Sequence, residues 1–157
     1  VAISVPCDLM AGATHLDSRL SFIYRDRFLK TLKQKLLERS NRLPFSLPVS
    51  KIKSIRTLYE FDDVYTAPMY GFRNAAHYYE QCSAKKFIPQ VNISTLILTA
   101  RNDPFFTEAC LPFEACENHP HVFLEVPDEG GHVGFCMDSI SGNYYSEVRT
   151  MEFLRGS

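Results

Sequence analysis

The sequence predicts an α/β protein in which parallel strands alternate with helices. Three short apolar runs have the composition of strands buried on both faces, at residues 1–5, 93–100 and 122–126. Helical periodicity separates these runs and follows the last of them. Strands joined through helices form right-handed crossovers, so we expect one parallel sheet with helices packed against it.

The first strand covers residues 1–5, and residues 7–13 are expected to form a loop. Apolar residues then recur every three or four positions over about residues 16–42, which predicts a long helix. Pro44 and Pro48 end this helix, because proline cannot continue one.

A shorter helix is predicted over residues 51–58, with Ser50 as its N-cap. The aromatic-rich residues 61–72 are expected to form a loop, and residues 74–83 another helix. Residues of about 14–90 therefore form a helical insertion between two strands. An insertion of this length beside a parallel sheet usually covers an active site as a cap.

The second strand is followed by a helix predicted over residues 105–118, with Thr107 as its N-cap. Pro112 lies inside that segment, which leaves open a kink at this point. The last strand is followed by a helix predicted over residues 144–154.

Length and composition fit one globular domain. The 157 residues have a formal net charge of -1, so we expect no bulk attraction to nucleic acid. No apolar run approaches the ~20 residues of a membrane helix, and no signal peptide is visible. The five cysteines, an odd number, favour reduced thiols. We expect a cytoplasmic protein with at most peripheral membrane contact and no cofactor.

The long helix carries an excess of bases, which has two interpretations. Eight lysines and arginines face three carboxylates: Arg19, Arg25, Arg27, Lys30, Lys33, Lys35, Arg39 and Arg42 against Asp17, Asp26 and Glu38. The excess can attract an acidic substrate or a lipid headgroup surface. A solvated helix face is the commoner origin of such a run and is the favoured interpretation.

Four side chains near residue 115 have the elements that bind zinc, namely Cys110, Cys116, His119 and His121. No Cys-x-x-Cys pair is present, and the two histidines are closer than the usual His-x3–5-His spacing. We therefore expect no metal site.

Two acid/base residues follow predicted strands in a suggestive order. Asp103 comes after the second strand, and His132 comes after the third, 29 residues later. An α/β-hydrolase delivers the last two members of its Ser–Asp–His triad in this order. The only glycines four apart, Gly130 and Gly134, enclose the histidine and no serine. The nucleophilic serine is therefore expected before Val1, in an N-terminal half that this chain lacks.

The sequence resembles a known family of these enzymes over most of its length, from about Ile3 to Phe135. It is similar to the C-terminal half of the YheT-like α/β-hydrolases, also called the hydrolase 4 family. The matching residues are Phe61-Asp-Asp-Val-Tyr-Thr-Ala-Pro68, Gly71-Phe72, Tyr78-Tyr79, Ser83, Val91, Ser94, Asn102-Asp103 and Gly130-Gly-His-Val-Gly-Phe135. His77 departs from the family pattern.

The resemblance implies a role for the chain. Residues 1–157 would be the C-terminal part of one α/β-hydrolase domain, with residues 14–90 as its cap. Family members are serine hydrolases of the carboxylesterase type, and eukaryotic relatives act on acylglycerols or phospholipids. Asp103 would be the charge-orienting acid and His132 the general base, acting on an ester or lipid-like substrate.

Four residues of the cap are candidates to line an acyl pocket, Tyr65, Met69, Tyr70 and Phe72. Soft and aromatic side chains suit apolar ligands. Plain packing is the commoner role of such a cluster.

A second interpretation belongs to another functional class. The chain could be a natural truncated product that acts as a non-catalytic interaction module. Its first strand would then be an exposed sheet edge, through which the chain would self-associate.

Overall fold

The computed structural model describes residues 1–19, 21–42, 45–135, 142 and 144–156. The chain divides into two compact units. We call Val1–Asp8 with Ser83–Ser157 the sheet unit, and Leu9–Cys82 the helical unit.

The sheet unit is built on three parallel strands. They are β1 (Ala2–Ile3), β2 (Thr95–Leu98) and β3 (Val122–Glu125), in the spatial order β1-β2-β3. Both pairings are parallel. The parallel sheet predicted from the alternation of strands and helices is confirmed, although each strand is shorter than its apolar run.

The central strand β2 is covered on both faces. Ile97 belongs to a cluster with Cys7 and Val122, whereas Leu98 belongs to another with Phe135. Successive side chains of a strand point to opposite faces, so this strand needs apolar residues at every position. This requirement explains the continuous run that predicted β2.

Short helical elements flank the sheet. They are α7 (Phe113–Cys116), α8 (Tyr145–Gly156) and 3-10 turns at Ala84–Lys86, Ile88–Gln90 and Glu108–Cys110. The predicted C-terminal helix is confirmed as α8. The single helix predicted over residues 105–118 is wrong. Pro112 directly precedes α7, and because proline has no N–H and restricts the residue before it, the segment is interrupted there. Thr107 makes no side-chain cap.

The helical unit contains six α-helices among its described residues. They are α1 (Leu9–Asp17), α2 (Phe22–Arg39), α3 (Val49–Ser54), α4 (Leu58–Phe61), α5 (Ala67–Met69) and α6 (Ala75–Cys82), with a 3-10 turn at Ser40–Arg42 and a π-helical turn at Asp62–Thr66. Their core is formed by Leu29, Leu36, Ile52, Ile55 and Phe61.

Two local predictions near the start of this unit are wrong. The loop expected over residues 7–13 is largely α1, which begins at Leu9. Ser50 is not an N-cap, because α3 already begins at Val49 with Pro48 before it. Pro44, expected to end the long helix, lies outside the described residues.

The aromatic segment 61–72 was expected to be a loop and is mostly helical. Phe61 and Ala67 are buried, so alternate turns of the segment face the core. Pro68 is the second residue of α5 and follows the π-helical turn without a break in the helical backbone.

Carboxylates hold these short helices together. Asp17 on α1 accepts hydrogen bonds from the backbone N–H groups of Leu58 (2.8 Å) and Tyr59 (3.2 Å) at the start of α4. Asp62 accepts from the hydroxyl of Tyr79 on α6 at 2.6 Å. Tyr79 is buried, and burial together with this hydrogen bond raises the pKa of its hydroxyl. Helices too short to be stable alone are thus fixed by tertiary contacts.

Replacement of Tyr79 by phenylalanine removes a hydrogen bond to a charged group. We expect Tyr79→Phe to lower the free energy of unfolding by about 1.5–3 kcal/mol in urea titrations. Tyr70→Phe is the matched control, since the Tyr70 side chain is exposed. Equal losses in the two variants would show that the contact with Asp62 contributes nothing.

Candidate active site

Asp103 occupies the loop that follows β2. Its backbone N–H donates to the carbonyl of Ala100 at 3.2 Å. Its Oδ1 accepts from the backbone N–H of Phe105 at 2.9 Å, the pattern of an Asx turn. Only 4% of the residue is exposed. The turn fixes the carboxylate through Oδ1 and leaves Oδ2 for a second partner.

The histidine predicted from the next loop meets that oxygen. Nδ1 of His132 lies 2.8 Å from Oδ2 of Asp103, and the imidazole is one-third exposed. A carboxylate can only accept, so Nδ1 of the neutral ring carries the proton. The other ring nitrogen, Nε2, then carries no proton, and its lone pair can accept one. This pair has the geometry of a general base held by an orienting acid.

Two aromatic rings fix the orientation of the imidazole. The ring centroids of Phe105 and Phe106 lie 4.4 Å and 5.6 Å from that of His132, both in edge-on contact. The Asx turn at Asp103 therefore positions the carboxylate and the first of these rings together. Edge-on packing restricts ring rotation and keeps water from part of the imidazole.

Side chains that follow β1 and β2 hold the histidine loop. Oδ1 of Asn102 accepts from the backbone N–H of Gly131 at 2.8 Å. The hydroxyl of Ser4 donates to the carbonyl oxygen of His132, and the backbone N–H of Ser4 donates to Leu98 at 2.8 Å. The carboxyl ends of parallel strands lie at one edge of a sheet, so all three loops meet there. Ser4 contacts the backbone of His132 and not its ring.

The two glycines before His132 have separate physical roles. Gly131 has a φ of +59°, which strains a residue with a side chain. At Gly130 a Cβ would lie 2.6 Å from the ring of Phe135 and 2.8 Å from Cβ of Ala100. The loop therefore lies directly on the buried Phe135, whose backbone N–H donates to the Gly130 carbonyl at 2.8 Å.

An ion-pair network on the surface joins the same loops. Arg101 lies 3.2 Å from Glu108 and 3.4 Å from Asp128. All three side chains are at least half exposed, so these pairs contribute little to stability. The backbone N–H of Arg101 also donates to Pro127 at 2.8 Å.

Sequence reasoning singled out Asp103 and His132, which the structure brings into contact, but missed the residues that position them. Asn102 and Ser4 were not singled out. Ser4 lies within the predicted first strand, near its carboxyl end, and Asn102 lies two residues after the predicted second strand. Position at the carboxyl end of a strand is the signal that would have indicated them. Phe105 and Phe106 had no such signal, because aromatic residues in a loop are common packing residues.

The four residues predicted to line a pocket belong to the helical unit and differ in environment. Tyr65 packs against the core of that unit, and Phe72 against the aromatic rings of α6. Met69 and Tyr70 are exposed, the latter to 71%. A pocket shared by these residues stays a prediction.

The residues considered for zinc have other contacts. Nδ1 of His119 accepts from the backbone N–H groups of His121 and Val122, at 3.1 and 3.0 Å. Among the described residues, no three histidine, cysteine or carboxylate side chains group as a metal site would require.

Two further cysteines were not candidates for zinc. Burial raises the pKa of the Cys7 thiol to about 11. Cys136 lies outside the described residues.

Three proteins of known name have sequences similar to more than half of this chain. YheT of Escherichia coli, whose name proposes an esterase, is 34% identical over 86% of this chain and 40% of its own length. Monoacylglycerol lipase of Saccharomyces cerevisiae is 35% identical over 61% of this chain and 21% of the lipase. Phospholipase ABHD3 of Mus musculus is 27% identical over 84% of this chain and 32% of the phospholipase.

These relatives and the parallel sheet define the chain as an α/β-hydrolase. Within that class its sequence is similar to YheT, as the resemblance of its motifs predicted. The chain spans two-fifths or less of the length of the three relatives named above. No family model and no solved structure matches it.

Removal of the Asn102 side chain should loosen the histidine loop. In Asn102→Ala the Gly131 N–H loses its acceptor, so we expect its hydrogen exchange to accelerate about fivefold, the equivalent of a net hydrogen bond of ~1 kcal/mol. Asn102→Asp retains an acceptor oxygen and should retain the protection. Asn92→Ala, at an exposed position, is the control. Unchanged exchange at Gly131 in Asn102→Ala would contradict the role assigned to this side chain.

Proposed function

We propose that this chain supplies the acid and the base of a serine hydrolase that cleaves carboxylic esters. The observation that carries the proposal is the 2.8 Å contact between Nδ1 of His132 and the buried carboxylate of Asp103. The nucleophilic serine and the oxyanion hole are proposed to lie in a segment before Val1. The partial coverage of the relatives supports this assignment.

The proposed reaction begins at the free nitrogen of the imidazole. Nε2 of His132 takes the proton of the serine hydroxyl as the serine oxygen attacks the ester carbonyl carbon. The tetrahedral intermediate collapses when the imidazolium returns that proton to the departing alcohol oxygen. Water then attacks the acyl-enzyme with the same base and releases the acid. Asp103 stays ionised and stabilises the charged ring throughout.

The substrate class is proposed to be acyl lipids or other lipid-like esters. The names of three relatives describe an esterase, a monoacylglycerol lipase and a phospholipase, and two of these names specify lipid substrates. The helical unit is proposed to be the cap, and Tyr65, Met69, Tyr70 and Phe72 its pocket lining. A cytoplasmic location also stays a prediction.

One observation supports the alternative of an interaction module. Within the described residues β1 pairs with β2 on one side only, and Val1 and Ile3 are 47% and 37% exposed. A free strand edge is a template for pairing with another chain. Light scattering at increasing concentration tests this alternative, and a monomer at every concentration would exclude self-association through β1.

Substitution of the two residues in the intact protein tests the proposed triad. With a p-nitrophenyl ester as substrate, we expect His132→Ala to lower kcat by about 10⁶-fold and Asp103→Asn by about 10⁴-fold. Asp128→Asn is the matched control, since that carboxylate is exposed on the neighbouring loop and its side chain is 89% accessible.

A fluorophosphonate probe separates this proposal from its alternatives. We expect the intact protein to be labelled and the 157-residue chain to remain unlabelled. Labelling of the 157-residue chain would place the nucleophile among its own serines and contradict the proposal. Full activity of His132→Ala would exclude the triad altogether.

A further inference from the structure

The two units carry opposite formal charges, which the net charge of the whole chain conceals. Residues 9–82 contain twelve lysines and arginines against seven aspartates and glutamates, a formal charge of +5. The remaining residues contain five against eleven, a formal charge of -6. The basic excess is concentrated in residues 19–56, where eleven bases face two carboxylates.

Most of these bases are exposed and have no carboxylate partner among the described residues. Arg25 pairs with Asp26, while Lys33 donates to the carbonyls of Lys53 and Ile55 at the end of α3. The other nine bases are exposed and have no ion pair among the described residues: Arg19, Arg27, Lys30, Lys35, Arg39, Arg42, Lys51, Lys53 and Arg56. We call these nine side chains the basic surface. They lie on α2, the 3-10 turn and α3, with Arg19 just before α2 and Arg56 just after α3.

Apolar side chains lie among these bases in solvent. Ile23 is 67% exposed, and its spacing from Arg27 and Lys30 places the three on one face of α2. Phe22 and Val49, at the starts of α2 and α3, are each 48% exposed. A solvated helix face would not need apolar residues among its bases, whereas a membrane-binding face combines both.

A groove beside the basic surface has the same mixed character. It has a volume of about 510 Å³ between α2 and the end of α3. Its lining combines three bases and one carboxylate with apolar and amide side chains: Lys30, Lys33, Arg56, Asp26, Leu29, Leu37, Ile55 and Gln34. The bases outnumber the carboxylate, and Asp26 is already paired with Arg25. An amphiphilic anion, such as a phospholipid with its phosphate and acyl chain, complements such a lining.

We propose that the basic surface docks this protein on an anionic lipid bilayer. Each lysine or arginine close to an anionic membrane strengthens binding about fivefold. The apolar side chains favour a bilayer over a nucleic acid, because they have no partner on a phosphate backbone. No described helix is long and apolar enough to cross a membrane, so the contact is peripheral. Binding is measured without turnover, so it is independent of the proposed ester cleavage.

Vesicle sedimentation tests the charge component of this proposal. We expect the chain to bind phosphatidylcholine vesicles that contain about 30% phosphatidylglycerol and not to bind vesicles of pure phosphatidylcholine. High salt should dissociate the bound protein. Lys30→Glu with Lys51→Glu should weaken binding about 25-fold or more. Arg73→Glu with Arg155→Glu makes the same change of charge at exposed positions outside the basic surface, and should have a much smaller effect.

A second variant tests the apolar component and separates a bilayer from other polyanions. Ile23→Ser leaves every charge in place and, since the side chain is exposed, should leave the fold intact, but it should weaken vesicle binding. Equal losses from the two double variants would overturn the proposal, because the effect would then be bulk charge. Binding of single-stranded RNA as tight as that of vesicles, with Ile23→Ser without effect, would overturn it in favour of a general polyanion surface.

Discussion

The buried carboxylate of Asp103 is the constraint on which the rest of the site depends. A carboxylate that is 4% exposed is costly unless donors replace its water. The Phe105 backbone N–H and the His132 ring supply those donors, at 2.9 and 2.8 Å. Because the ring must donate through Nδ1, its free nitrogen is Nε2. The position of one carboxylate thereby selects the tautomer of the His132 ring and the direction of its unprotonated nitrogen.

The histidine comes from a loop without regular secondary structure, so other contacts must hold that loop. Asn102 binds it from the loop after β2, and Ser4 from the end of β1. The buried ring of Phe135 packs against this loop, and the absence of a Cβ at Gly130 allows the ring to lie so close. These contacts all arise at one edge of the parallel sheet. The fold therefore positions the loop through the ends of strands that are fixed by the backbone hydrogen bonds of the sheet.

Pattern and residue type predicted what depends on local chemistry. Strand β2 was recognisable because burial on both faces demands an unbroken apolar run, and Asp103 and His132 because each follows a strand. The helical course of residues 61–72 was missed, since it depends on tertiary contacts such as that between Asp62 and Tyr79. The break at Pro112 was left open. Composition averaged over the chain likewise hid the opposite formal charges of the helical unit and of the remaining residues.

Nitrogen NMR of the His132 imidazole, in the 157-residue chain at a pH where the ring is neutral, tests the central claim most directly. We expect a single tautomer with its proton on Nδ1 and an unprotonated Nε2. Asp103→Asn should abolish that preference, whereas Asp128→Asn should leave it unchanged. A ring that averages between tautomers, or that carries its proton on Nε2, would contradict the claim that Asp103 orients the imidazole.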